Sequence, residues 1–172
     1  REVAPVDYSA QFRNQLIMTS VSGEYEELQK NVGYFPISIN GTAIEKRYGL
    51  RVVGTNDTIN GLEYFSLKDD TYALTDFTKA IPVSDTSSQF RLRKHNIQVG
   101  EADMLTTYFP RNETRGNKYF YGEIHIANQK IKLNSARDGL APTPEAECLK
   151  CLIRNFFDGL VKLYHLANDT KK

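Results

Sequence analysis

The sequence is short of several features that would point to a particular class of protein. It contains no tryptophan and only two cysteines among 172 residues. No run approaches the roughly 18 to 20 apolar residues that a transmembrane helix requires, and the first twenty residues are too polar for the core of a signal peptide. Neither sign of charge dominates, because 22 Lys and Arg nearly balance 21 Asp and Glu, for a net charge of +1. We therefore expect no membrane partner, and no overall field that would attract nucleic acid.

The two cysteines, Cys148 and Cys151, are too few for a disulfide framework and lie three residues apart in a segment with helical periodicity. They favour a reducing compartment, and we expect a cytoplasmic protein. Four Asn-x-Thr triplets match the N-glycosylation pattern and point the other way, although chance alone gives about 1.5 such matches. A structural zinc site would need two further ligands close by. We therefore predict no metal site and expect the cysteines to pack as small apolar side chains.

The common catalytic signatures are missing as well. The sequence has no Gly-x-x-x-x-Gly-Lys-Ser/Thr phosphate loop, no Gly-x-Gly-x-x-Gly, no Gly-x-Ser-x-Gly elbow and no His-Glu-x-x-His. What is present is the composition of an ordinary globular protein, with 40% hydrophobic and 25% charged residues. The chain should therefore fold, but no enzymatic activity follows from these motifs.

Two hairpins are predicted in the first half of the chain. Alternating apolar residues lead to Asn40-Gly41, a pair typical of two-residue hairpin turns, and a second pair of strands is predicted at residues 62–67 and 72–77. Short helices are predicted after Ser9 and at residues 24–29.

A polar stretch at residues 82–89 is typical of a linker between two units. We therefore place a boundary there. It divides the chain into an N-terminal α+β subdomain with two hairpins, residues 1–83, and a second α+β subdomain that ends in a long helix, residues 84–172.

The second subdomain begins with period-two alternation. This pattern predicts a strand in which Phe90 and Leu92 face one side and Arg91 and Arg93 face the other. The apolar parity changes after His95, which predicts a bulge or a break in the strand at that point.

Three further elements are predicted before the C-terminus. A short helix at residues 102–108 and a charged loop at residues 111–118 precede a strand that places Glu123 and His125 on the face opposite to its apolar residues. The final helix is predicted to start at Thr143 as N-cap, followed by proline and two glutamates in its first turn. Its apolar stripe, which predicts packing on a sheet, consists of Leu149, Leu152, Phe156, Leu160, Leu163 and Ala167.

Two basic stretches, residues 91–95 and 111–118, are candidates for contacts with phosphates of a nucleic acid. The alternative interpretation is a solvated strand face followed by a charged loop, because Glu101, Asp103 and Glu113 dilute the patch.

The segment from residue 130 to 140 follows a predicted strand and places Asn134 and Arg137 three residues apart, shortly before Gly139. An arginine fixed in such a loop can neutralise the charge that develops on a transferred γ-phosphoryl group. The alternative is an arginine that pairs with Asp138 or caps a carbonyl group, and the residues alone do not decide between the two.

Three stretches together resemble a known family. They are Phe90-Arg-Leu-Arg-Lys-His-Asn-Ile-Gln-Val-Gly100, Gly122-Glu-Ile-His-Ile126 and Leu133-Asn-Ser-Ala-Arg-Asp138. Their order resembles the middle domain of the ninety-kilodalton heat-shock chaperones, and still more that of less-studied bacterial proteins of the same GHKL ATPase superfamily. In the chaperones, a strand ending in Gly-Val-Val-Asp precedes Leu-Asn-x-Ser-Arg-Glu. This chain departs from that pattern at Ala136 and Asp138 and has a longer gap before the motif.

The resemblance implies a fold, a site and partners. It implies an α+β fold with mixed sheets backed by helices, whose second half contains a left-handed βαβ crossover, an exception to the usual handedness. Arg137 matches the family arginine that reaches the γ-phosphate of ATP, and Asn134 matches the asparagine that supports the same loop. ATP and magnesium would be held in the intact protein by an N-terminal nucleotide-binding domain, so this chain alone would bind neither and would not hydrolyse ATP.

The resemblance therefore predicts a transducer that couples nucleotide state to a client or partner protein, in an intact molecule that the family allows to be a homodimer. The competing hypothesis is an interaction module without enzymatic activity, which would bind nucleic acid through the face formed by Arg91 to His95.

Overall fold

The computed structural model describes residues 5–10, 30, 33–46, 62–67, 71–77, 89–101, 103–118 and 120–169. These residues form an α+β arrangement, as predicted, of a two-stranded sheet, a five-stranded mixed sheet and a long α-helix. The helices predicted after Ser9 and at residues 24–29 lie almost entirely outside the described residues. In chain order the elements are β1 (Ile37–Ile39), β2 (Thr42–Ile44), β3 (Leu62–Leu67), β4 (Thr71–Phe77), β5 (Gln89–Lys94), β6 (Ile97–Val99), two 3₁₀ helices (Met104–Tyr108 and Arg111–Lys118), β7 (Phe120–Ile126) and α1 (Pro144–Asp169).

The first predicted hairpin is confirmed as the antiparallel pair β1 and β2. Its turn residues Asn40 and Gly41 both have positive φ, 51° and 75°, which is what a type I′ turn demands of its two central residues. The apolar side chains on this hairpin are largely exposed, to 61% for both Phe35 and Ile39. The hairpin therefore contributes little to the main hydrophobic core.

The second predicted hairpin is confirmed as β3 and β4, paired from Leu62 with Asp76 to Leu67 with Thr71. β4 also pairs with β7, with Thr71 opposite Ile126. The five-stranded sheet consequently has the order β3-β4-β7-β5-β6. One hydrogen-bonded sheet thus contains strands from both sides of the boundary that the linker pattern places after residue 83.

β5 and β7 are parallel neighbours in this sheet, while all its other pairs are antiparallel. The described residues between them carry β6 and two 3₁₀ helices and contain no α-helix. The short helix predicted at residues 102–108 is a 3₁₀ helix at residues 104–108, and the charged loop at residues 111–118 forms 3₁₀ turns that are interrupted by a kink at Glu113. Pro110 and Gly116 explain why a longer α-helix does not form here, since both residues disfavour the α-helical conformation. The handedness of the crossover stays a prediction.

The change of parity at His95 is confirmed as a break in the strand. His95 and Asn96 have φ values of 49° and 62°, and they form a two-residue turn between β5 and β6, with Lys94 opposite Ile97. Asn and His are among the residues that tolerate this backbone region best after glycine.

The main core lies between one face of the five-stranded sheet and α1. Phe90 and Leu92 on β5, together with Ile124 on β7, are buried against this helix, as the alternation predicts. Phe157 is central, because its ring centroid lies 4.0 Å from that of Phe109 and 5.0 Å from that of Phe90.

The start of α1 is confirmed, but the predicted position of its apolar stripe is partly wrong. The backbone N–H of Ala146 donates to Oγ1 of Thr143 at 3.2 Å, which makes Thr143 the N-cap. Leu149 and Leu160 are buried, but Leu152 and Phe156 are only partly so. The missed buried positions on the sheet-facing side are Ala146, Ile153, Phe157 and Val161. The side chains of Leu163 and Ala167 lie outside the described residues. Apolar residues also occupy the positions next to the predicted stripe. The periodicity of the sequence therefore does not determine which side of the helix faces the sheet.

Cys148 and Cys151 are free and exposed on α1, so the expectation that they pack in the core is wrong. They lie on the outer side of the helix, away from the sheet-facing residues. Within the described part of the chain, no helix combines the length and apolar character needed to cross a bilayer.

The rotation of α1 can be tested with two adjacent phenylalanines. We expect Phe157→Ala to lower the free energy of unfolding by about 3 to 5 kcal/mol, the usual loss for a fully buried phenylalanine. Phe156→Ala should lower it by less than half as much, because Phe156 is only partly buried. Urea denaturation of the two variants makes the comparison, and a larger loss for Phe156→Ala would contradict the observed packing.

Candidate functional site

The predicted site lies in a short closed loop between β7 and α1. Leu133 and Leu140 form an antiparallel bridge that closes the loop. Inside it, the backbone N–H of Asn134 donates to the carbonyl of Gly139 at 2.9 Å, and that of Arg137 donates to the carbonyl of Asn134 at 3.1 Å. The loop therefore has a defined backbone shape rather than an open one.

Asn134 spans this loop with its side chain. Its Nδ2 donates to Oδ1 of Asp138 at 2.7 Å, and its Oδ1 accepts from the backbone N–H of Gly139 at 3.3 Å. Both ends of the amide are thus used within the loop. Asn134 is therefore in contact with the two residues that follow Arg137.

Arg137 lies at the tip of the loop with an exposed side chain. Its φ of 59° is in the left-handed region, which costs a non-glycine residue about 1 to 3 kcal/mol and is concentrated at functional sites. Within the described part of the chain its guanidinium makes neither an ion pair nor a hydrogen bond, and the carboxylate of Asp138 is engaged by Asn134. The local alternative, pairing of Arg137 with Asp138, is therefore not what the structure contains.

A second group of polar residues lies on the sheet face opposite to the core. We call it the ionic cluster, and it consists of Tyr8, Lys46, Arg93, Glu123 and His125. At its centre Glu123 accepts from Nε of Arg93 and from the hydroxyl of Tyr8. Lys46 Nζ lies 3.4 Å and His125 Nε2 lies 3.0 Å from Oε2 of the same carboxylate. All five residues are buried.

The ionic cluster overturns the prediction of a solvated basic strand face. Arg91 and Arg93 are only 2% and 0% exposed, and Lys94 is also buried. Among the basic residues of the stretch 91–95, His95 alone is exposed. These guanidinium groups therefore do not present the surface that the nucleic-acid hypothesis requires of them.

Sequence reasoning missed the cluster because its members are far apart along the chain. Lys46 reaches the sheet because the strand-like segment around Tyr8 pairs with it in parallel, and its ammonium also contacts the side chain of Asn96. Asn96 in turn donates to the carbonyl groups of Val6 and Gly33, at 3.4 and 3.2 Å. The one available signal was the opposite charge of the alternating residues on β5 and β7, but their pairing is visible only in the sheet.

The charges in the cluster shift one another's protonation. Burial by itself raises the pKa of Glu123, but the charges of Arg93 and Lys46 outweigh it and hold that pKa well below its ordinary 4.5. Burial lowers the pKa of Lys46 from 10.5 to about 8, against the opposing effect of Glu123. Burial likewise lowers the pKa of His125 below its ordinary 6.5. At neutral pH, Glu123 is therefore ionised and His125 is neutral.

The arrangement of the cluster suits it to holding the fold together. A groove beside the β1–β2 hairpin is lined by Asp7, Phe35 and Glu45 among others, but by no member of the ionic cluster. Among the described residues, no group of three or more His, Cys, Asp or Glu side chains could hold a metal ion. The cluster joins the segment around Tyr8 and Lys46 to β5 and β7, while the loop of Arg137 is the part that faces outward.

The energetic weight of the cluster can be measured by removing one charge. We expect Glu123→Gln to lower the free energy of unfolding by about 3 to 5 kcal/mol, because it leaves two buried cations without their counter-charge. The matched control is Glu147→Gln, which removes the exposed ion pair with Lys150 and should cost less than about 1 kcal/mol. Equal losses in urea denaturation would contradict the structural role given to Glu123.

The pH dependence of stability follows from His125. Its pKa is lower in the folded state than in the unfolded chain, so below about pH 6.5 the unfolded state binds a proton that the folded state does not. Stability should therefore fall as the pH drops below 6.5, with a slope of at most about 1.4 kcal/mol per pH unit from this group. His125→Gln should flatten that slope in urea denaturation between pH 7 and 5. An unchanged slope in the variant would show that His125 is not the group responsible.

Comparison with known proteins assigns the chain to no family. No protein-family model matches it, and no curated protein matches it either.

Proposed function

We propose that this chain is the middle, or transducer, part of a GHKL ATPase that resembles the ninety-kilodalton heat-shock chaperones. Arg137 supplies its guanidinium to the γ-phosphate of ATP, which is bound with magnesium by an N-terminal nucleotide-binding domain. The observation that carries the proposal is an exposed arginine, held in a left-handed backbone conformation on a hydrogen-bonded loop, at the position that the motif Leu133-Asn-Ser-Ala-Arg-Asp138 assigns to it.

The chemistry of phosphoryl transfer suits such an arginine. Charge spreads over the phosphoryl oxygens in the transition state, and a planar guanidinium can donate two parallel hydrogen bonds to them. A donor that is fixed before the reaction needs little reorganisation during it. The bonds that Asn134 makes to Asp138 and Gly139 fix the backbone from which the Arg137 side chain extends, so Asn134 acts as a positioning residue in the proposal.

The position of the loop also suits a transducer. It begins at Leu133, seven residues after the end of the central strand β7 at Ile126, and α1 begins at Pro144, four residues after the bridge at Leu140. A shift of the loop on contact with phosphate would therefore act on both the sheet and the helix that form the core. The proposal takes this path as the route by which nucleotide state reaches a client or partner protein, in an intact protein located in the cytoplasm.

The nucleic-acid hypothesis gains no support from the stretch 91–95. The face formed by Arg91 to His95 has both of its arginines buried, and the contacts of Arg93 include Glu123 and the carbonyl of Asn96. An interaction module of that kind would need a different set of cations.

The proposal is tested by Arg137→Ala in the full-length gene product. We expect ATP turnover to fall by about 10³-fold, in the range known for arginine fingers, while the affinity for ATP changes by less than about threefold, because a transition-state contact acts mainly on the rate. Arg137→Lys should recover only part of the rate, since a lysine cannot make the bidentate contact.

The matched control is Lys132→Ala, which removes another exposed cation from the same segment and should leave turnover within about twofold if the effect is specific to Arg137. A full rate in Arg137→Ala, measured at saturating ATP, would exclude the proposed role.

A further inference from the structure

The loop of Arg137 packs against Gly100. This glycine directly follows β6 and has a φ of 68°. A Cβ atom at this position would lie 2.7 Å from the backbone oxygen of Asp138 and 2.6 Å from Sδ of Met104. Both distances are far shorter than a non-bonded contact of a carbon atom allows. The backbone of Asp138 therefore packs directly against the Gly100 Cα.

We propose that Gly100 is a positioning residue for Arg137. The inference rests on the proposed function, because it assigns to Gly100 the task of setting where the Arg137 guanidinium meets the phosphate. In this view, the absence of a side chain at position 100 allows the loop to lie close enough to β6 for its tip to have one defined position.

The two contacts at Gly100 differ in what they would do to the loop. The Met104 thioether is the end of a flexible side chain and can turn away from an added methyl group. The Asp138 oxygen belongs to the backbone next to Arg137, and it can move only if the loop moves with it. A side chain at position 100 therefore displaces the loop, whatever Met104 does.

The contact between Gly100 and the Asp138 oxygen is held in place on both sides, so neither side can move alone to accommodate an added side chain. On the loop side, Asn134 is bonded to both Asp138 and Gly139, so the tip shifts as a unit. On the strand side, the Gly100 carbonyl accepts from Nε2 of Gln98 at 2.9 Å, and Val99 is buried in the core. A displacement of the Asp138 backbone therefore also displaces Arg137. A misplacement of about 1 Å at a catalytic group lowers the rate on the order of 100-fold.

The first test is Gly100→Ala in the full-length gene product, measured beside Gly41→Ala. We expect turnover of Gly100→Ala to fall by about 30- to 100-fold, with little change in the affinity for ATP. Gly41 is the matched control, since its φ of 75° is just as unfavourable for alanine but nothing lies within 4 Å of its added Cβ. Gly41→Ala should retain the full rate. Equal turnover in the two variants would overturn the role of Gly100.

A double variant separates the two contacts. Gly100→Ala combined with Met104→Ala removes the thioether but keeps the contact with Asp138, so we expect turnover to stay low. Recovery of the full rate would show that Met104, and not the loop, transmits the effect, and it would overturn the inference.

A readout independent of activity keeps the inference testable. The amide resonances of Arg137 and Gly139 should shift in Gly100→Ala and stay in place in Gly41→Ala. If Gly100→Ala fails to fold, Gly100→Asn replaces it, because asparagine tolerates a left-handed backbone better while its Cβ occupies the same place. Unchanged loop resonances in a folded variant would overturn the inference.

The outcomes for the two proposals are distinct. A full rate in Arg137→Ala removes the proposed function and, with it, the catalytic meaning of Gly100. A slow Arg137→Ala together with a full-rate Gly100→Ala removes only the inference about Gly100.

Discussion

The burial of one carboxylate, that of Glu123, organises the sheet around it. A carboxylate taken fully out of water loses several kcal/mol of solvation, and only close opposite charges and hydrogen bonds offset that loss. Arg93 and Lys46 supply the charges, and Tyr8 and His125 supply the hydrogen bonds. Because these partners come from distant parts of the chain, satisfying Glu123 requires the segment around Tyr8 and Lys46 to lie over β5 and β7. The charged contact thereby fixes the positions of elements that the hydrophobic core does not reach.

β7 consequently has two faces of opposite character, both of them buried. Ile124 belongs to the hydrophobic core on one face, and Glu123 joins the ionic cluster on the other. A strand held from both sides cannot rotate or slide without breaking one of the two sets of contacts. The loop of Arg137 starts shortly after the end of this strand, so its position is set from the best-fixed element of the described fold.

Local signals in the sequence predicted the local features of this fold. Asn40-Gly41 gave the first hairpin turn, and Thr143 with the following proline gave the start of α1, because these residues act through their own backbone geometry. The alternation on β5 and β7 gave the correct face for Phe90 and Ile124. The burial of Arg93 could not be predicted, since it depends on the partner at Glu123, which lies thirty residues away and meets it only in the sheet. The motif drew attention to the Arg137 loop as a candidate site. The hydrogen bonds of Asn134 and the close approach of Asp138 to Gly100 could not be predicted from it, because they depend on the three-dimensional structure.

The exposed thiols of Cys148 and Cys151 have a practical consequence. They are the only cysteines in the chain, and they lie in the second and third turns of α1 on its outer side. A thiol-reactive dye added to this chain would therefore attach to α1 alone, without disturbing the core. Its fluorescence would report any movement of this helix when a candidate nucleotide or protein partner is added.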